Sequence, residues 1–166
     1  MIQALIFAAA VSAAPAFVIE HPSATHPGEE AVAAYAQGPA NAGAGPFQGD
    51  AMWTAFHRRA GVDRVVDELV DLSLADPKIA EIFSSHDMVR LRRALKEQFC
   101  YLLNGGCDYS GRDMKAAHKD LGLQTTDFNL LVEHLQTAMN HEKIGFRAQN
   151  RFLARLAPMQ RVTVER

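Results

Sequence analysis

Between Asp50 and Pro158 every patterned segment repeats its apolar residues at a period near 3.6, and none alternates with period two. Only Pro77 and Pro158 interrupt this stretch, whereas five of the seven prolines fall before residue 47. A chain patterned this way builds its core from helix faces, so the expected fold class is all-α. The spacing predicts a helix over 51–59 and a longer one over 62–74 with Val62, Val65, Val66, Leu69 and Val70 inward. Pro77 then opens a single turn that closes at Phe83. Asp87 caps the next helix, whose apolar members are Met88, Leu91, Leu95, Phe99 and Leu102, and Gly105 with Gly106 stops it. Two more helices follow, over 126–139 with Phe128, Leu131, Leu135 and Met139 inward, and over 145–157, where Pro158 ends the pattern.

Ahead of this block lie two segments of different character. The first nineteen residues carry no charged side chain and include Ala14-Pro15-Ala16, which predicts a secretory signal spanning 1–16, although no Lys or Arg precedes its apolar run. Residues 17–49 are rich in Pro, Gly and Ala, too poor in apolar surface to order themselves, and read as a flexible leader to a domain at 50–166. Export, most simply to the periplasm, is expected, with a cytoplasmic location the alternative. Once the signal is cleaved, no stable membrane insertion is expected. Under export, Cys100 and Cys107 would meet oxidising conditions and either pair or remain two unrelated thiols. The 17 basic and 19 acidic residues nearly cancel and alternate along the helices, which argues against a nucleic-acid partner.

One histidine stands out. In the stretch from Tyr109 to Leu123, Ser110 and Asp113 give a helix start and Gly122 a stop. Met114, Ala117, His118 and Leu121 then fall at i, i+3, i+4 and i+7 on one face, so His118 looks inward. Taken alone, an inward histidine is more often a core residue satisfied by backbone groups than a ligand. The remaining histidines sit in the leader, near helix ends or mid-helix. His86 is the exception, three residues after Phe83 at the mouth of the helix that would face His118. The chain has no G-x-S-x-G, no phosphate-cradling glycine loop, no zinc-spaced cysteine pair and no C-x-x-C-H run.

The run from Gly105 to Leu123 resembles the truncated haemoglobins of group I, most distinctively in the spacing of Tyr109, Gly111, Met114 and His118. Supporting matches are Leu74-Ala75-Asp76-Pro77, Ile82-Phe83, Met88 with Leu91, and Leu156-Ala157-Pro158, so the likeness runs from about Trp53 to Val164. The resemblance implies a shortened globin, two helices stacked across two, around a non-covalent haem b, iron protoporphyrin IX. It implies that His118 is the proximal iron ligand, that Phe83 wedges against the haem, and that Arg90 meets a propionate at the rim, with Lys115 and Arg92 the other possibilities. The chemistry of the residues agrees. A neutral imidazole is the usual ligand that leaves the far side of haem iron open to a gas. Burying about 400 Å² of porphyrin at ~25 cal/mol per Å² contributes on the order of 10 kcal/mol. Met114, Leu121, Phe128 and Leu131 can supply one apolar wall, and Val70, Phe83, Leu91 and Leu95 the other.

The chain also departs from the family. Members commonly carry Tyr and Gln where this sequence has Val70 and Leu95, so the distal side is expected to be apolar, with Leu91 beside them. The usual Gly-Gly before the second helix is replaced by His57-Arg58, and the second glycine pair is displaced by one residue. These features predict a five-coordinate haem protein that reversibly binds dioxygen, carbon monoxide and nitric oxide and favours dioxygen weakly. Two other functions compete: nitric oxide dioxygenation with an external reductase, and a globin-shaped interaction module that has abandoned haem. Colour separates the last from the others. His86 is the candidate for an internal sixth iron ligand.

Overall fold

The computed structural model describes residues 26–165, so the expected signal at 1–16 and the start of the leader lie outside the described residues. Among the described residues there is no strand. Eight helices follow one another: α1 (Ala51–Ala55), α2 (Arg58–Ala75), α3 (Ala80–Ser84), α4 (Met88–Leu102), α5 (Met114–Ala117), α6 (Thr125–His141), α7 (Phe146–Leu156) and α8 (Gln160–Thr163). The long helix α2 packs on both α4 and α6, and α7 packs on α6. Their shared interior is built from Val62, Val65, Val66, Leu69, Phe99, Leu135 and Met139, and Phe152 stacks edge-on against Phe56 and Phe99 with ring centroids 5.0 and 4.8 Å away.

The break between the first two helices falls at Phe56–His57 and not near residue 60 as expected. Gly61 lies inside α2. A Cβ there would sit 2.1 Å from the Phe56 carbonyl oxygen, so glycine is what lets the chain double back tightly. The missing glycine pair leaves a mark: His57 and Arg58 both occupy the left-handed region, with φ of 56° and 59°. His57 is compensated by Glu142, whose carboxylate accepts from its Nδ1 at 2.7 Å and also binds Arg64. That Arg64 contact, with His57 assisting, holds the Glu142 carboxyl down at about 2. Arg58 has no comparable anchor among the described residues. Arg58→Gly is therefore expected to raise stability by about 1 kcal/mol, read as a higher urea midpoint at unchanged slope.

Cys100, at the end of α4, is bonded to Cys107, with Cα atoms 5.7 Å apart. Pairing, one of the two alternatives the sequence left open, is what the structure shows. Closing so short a loop contributes roughly 2–3 kcal/mol. Reduction or Cys107→Ser should therefore lower the thermal midpoint by roughly 10 °C.

Residues 26–49 do not form a free leader. Ala42 and Phe47 are buried, a 3₁₀ turn forms over Pro39–Ala42, and the Phe47 amide donates to the Leu102 carbonyl at 2.8 Å. The Glu29 carboxylate bridges Arg93 and Arg90, and the Glu30 amide caps onto Asp87 at 2.8 Å. The composition of this segment cannot make a core of its own, which is why it reads as unstructured. It orders by borrowing the domain's surface, with polar groups satisfied at each end.

Candidate haem site

Helix α5 is a single turn, shorter than the spacing predicts. Asp113 is its cap, accepting the Ala116 amide at 2.9 Å. Ser110, the other start candidate, is taken by Glu97, which accepts both its amide at 3.0 Å and its hydroxyl at 2.6 Å. The turn cannot continue past His118 because Asp120 and Gly122 both have φ of 63°. His118 therefore ends the helix, half-buried, with its Nδ1 2.7 Å from the Met114 carbonyl oxygen. A carbonyl only accepts, so Nδ1 carries the proton and Nε2 keeps its lone pair. Burial pushes the imidazole below the usual histidine range, with His86 adding to the effect against the Met114 bond.

The imidazole borders a cavity of about 260 Å³ between α4, α5 and α6. Phe83, Leu91, Leu95, Met114 and Phe128 line this cavity together with His118, as the sequence predicts, and Leu121 and Leu131 extend the walls. Two expected residues are elsewhere. Val70 is buried but lies off the cavity wall, and its neighbour Leu69 faces the space instead. Arg90 is not at the rim either: its guanidinium is bound to Glu29, Asp87 and the Glu30 carbonyl. Arg92, the other α4 cation, is held by Asp67 and Asp71. Of the three rim candidates Lys115 alone stands beside His118, in a recess shared with Lys119 and Arg161.

Sequence reasoning missed several lining residues, among them Ile79, Gln98, Tyr109 and Met159. Gln98 was findable, because it continues the Leu91, Leu95 face at i+7, but its polarity hid it. Gln98 and Tyr109 are two of the polar residues on the cavity wall, and both have committed their donors. Gln98 Nε2 donates to the Ala42 carbonyl at 2.9 Å and contacts the Met114 sulfur at 3.4 Å. The Tyr109 hydroxyl, whose ionisation burial pushes up to about 12, donates to the Arg112 carbonyl at 3.0 Å. His86 also borders the cavity, from the exposed turn before α4, with Nδ1 3.1 Å from Ser85 Oγ.

This donor set fits haem. Among the described residues no three His, Cys, Asp or Glu side chains gather to hold a bare ion, and one imidazole between apolar walls suits a metal that brings its own in-plane ligands. A second polar group is structural. Ser73, His134 and Asp76 have the composition of a hydrolytic triad, but Ser73 is fully buried and donates its hydroxyl to the Leu69 carbonyl at 2.8 Å, so it is no nucleophile.

Residues 54–164 match the model of the family described as bacterial-like globin. The chain is 36% identical over 84 residues to a group 1 truncated haemoglobin of Chlamydomonas moewusii, covering 49% of this chain and 48% of that protein. It is 33% identical over 91 residues to one of Synechocystis sp., covering 51% of this chain and 73% of that protein. The chain thus spans about half the length of the first of these relatives. In structure it resembles the 2/2 haemoglobin of Synechococcus sp., with a TM-score of 0.64 at 22% identity over 69% of this chain and 98% of that one. It is similar again to the truncated haemoglobin of Tetrahymena pyriformis, with a TM-score of 0.66 at 19% identity and the same coverage. With a family model spanning α2 to α8 and a histidine-bordered cavity in the expected place, the chain belongs to the bacterial-like globins, as a group 1 truncated haemoglobin.

Proposed function

We propose that this protein is a non-covalent b-type haem protein that reversibly binds diatomic gases at a five-coordinate iron. One observation carries this: an imidazole whose Nδ1 is pinned on the Met114 carbonyl, leaving Nε2 its lone pair, lines an apolar cavity. Bound haem would supply an iron with one coordination position free for dioxygen, carbon monoxide or nitric oxide. His118 would hold the iron, and the Met114 bond orients the ring and raises its basicity as a ligand. Phe83, Leu91, Leu95 and Phe128, which line the cavity, exclude water and would pack against a bound porphyrin. Lys115 takes the rim role that Arg90 cannot, since Glu29 occupies Arg90. The test is the absorption spectrum of the protein mixed with haemin, in its ferric, ferrous and carbonyl forms. A Soret band and a high-spin ferrous spectrum are expected, and a colourless protein overturns the proposal. His86→Leu should leave the ferrous spectrum unchanged; a low-spin ferrous wild type that becomes high-spin in the variant would make His86 a sixth ligand.

Export belongs to the same proposal, because the Cys100–Cys107 bond suits an oxidising compartment. Terminal sequencing of the protein from a periplasmic fraction should then begin at Phe17.

A further inference from the structure

We propose that residues 35–44, which precede the family-matched region, are a proximal strap that sets the position of His118. The inference rests on His118 being the iron ligand. A single helical turn does not hold itself, because nucleating a helix costs more than one turn returns. The four-residue α5 must therefore take its position from whatever packs on it. Upstream residues grip the approach to α5 at successive points. The Tyr35 hydroxyl donates to the Ser110 carbonyl at 2.9 Å, and Asn41 Nδ2 donates to the Gly111 carbonyl at 3.1 Å. The Arg112 guanidinium lies over the Tyr35 ring, 5.2 Å from its centroid.

Contact continues onto Met114 itself. Gly43, with φ of 83°, sits so close that a Cβ would lie 2.8 Å from Met114 Cγ and 2.9 Å from Met159 Cε. Ala42 offers its carbonyl to Gln98, and the same amide group touches the Met114 sulfur. Met114 is the residue whose carbonyl orients His118. The strap thus reaches the imidazole through one intermediate residue, while Glu97 and the Cys100–Cys107 bond tie down the other side of the loop. Tyr35, Asn41 and Gly43 are accordingly positioning residues.

Three variants of the full chain test this: Gly43→Val, which forces the strap off Met114; Tyr35→Phe with Asn41→Ala, which removes two donors without a clash; and Gly45→Ala, where an added Cβ meets nothing within 4 Å. The readouts are the iron–histidine stretching band in the ferrous state, the rate of haem transfer to excess apomyoglobin, and amide hydrogen exchange across 109–118. In the first two variants the band should shift, transfer should quicken about tenfold, and exchange should rise. Gly45→Ala should match wild type. If Gly43→Val fails to fold, the double variant decides. A double variant with the wild-type band, transfer rate and exchange overturns the strap. A wild type that takes up no haem instead defeats the parent proposal, and exchange across 109–118 in the chain as purified still decides whether the strap orders α5.

Discussion

His118→Ala is expected to weaken haem binding by at least about a hundredfold and to erase the wild-type coordination spectrum. The loss has two parts. Bound iron would lose its proposed protein ligand, and the Met114 carbonyl loses the donor it now accepts from at 2.7 Å. The walls formed by Phe83, Leu91, Leu95, Phe128 and Leu131 are untouched, so the on the order of 10 kcal/mol available from burying the porphyrin faces still favours uptake. The variant should hence bind haem loosely, with a weak and broadened Soret band. Adding millimolar imidazole should restore a histidine-like spectrum, because the cavity left by the side chain accepts the free ring. Haem titration with and without imidazole, beside wild type, measures both effects. Retention of the unaltered coordination spectrum by the alanine variant would remove His118 as the ligand and the functional proposal with it.

The parts of this molecule that were legible from sequence are those decided by local periodicity. The inward faces of α2, α4 and α6 read directly, since Val62, Val65, Leu91, Leu95, Phe128 and Leu131 repeat at helical spacing and all lie in the core or on the cavity wall. His118 read in part: the Asp113 cap and the Met114, Ala117 spacing bring it to the cavity edge, but the turn ends there and Leu121 is not on the same helix. What failed depends on contacts between distant segments. Leu69 and Val70 are adjacent and both buried, and the roll of α2 about its axis, set by α4 and α6, turns Leu69 and not Val70 to the cavity. Arg90 was misplaced because its partner Glu29 lies in a stretch whose composition gave no hint of order. The break before α2 was misplaced for a related reason. Apolar spacing does not register that the missing Cβ of Gly61 makes room for the Phe56 carbonyl and lets α2 begin at Arg58.

Dioxygen is expected to leave this protein fast, and Leu95→Gln to slow its release by about ten- to a hundredfold while changing carbon monoxide release little. A dioxygen ligand carries partial negative charge and gains roughly 1.5–3 kcal/mol from a well-placed donor, which carbon monoxide does not. Leu91 and Leu95 offer none, and the donors of Gln98 and Tyr109 are spent on the Ala42 and Arg112 carbonyls. Position 95 is where a glutamine can reach a ligand opposite His118, because Leu95 already faces the cavity from α4. Fast release also weighs against nitric oxide dioxygenation, which needs dioxygen to persist until nitric oxide arrives. Stopped-flow displacement of dioxygen by carbon monoxide in the two proteins gives the off-rates, and mixing the dioxygen-loaded forms with nitric oxide shows which converts it. A wild-type off-rate already as slow as that of the glutamine variant would mean that a donor reaches the ligand after all, with His86 at the cavity edge the first residue to replace.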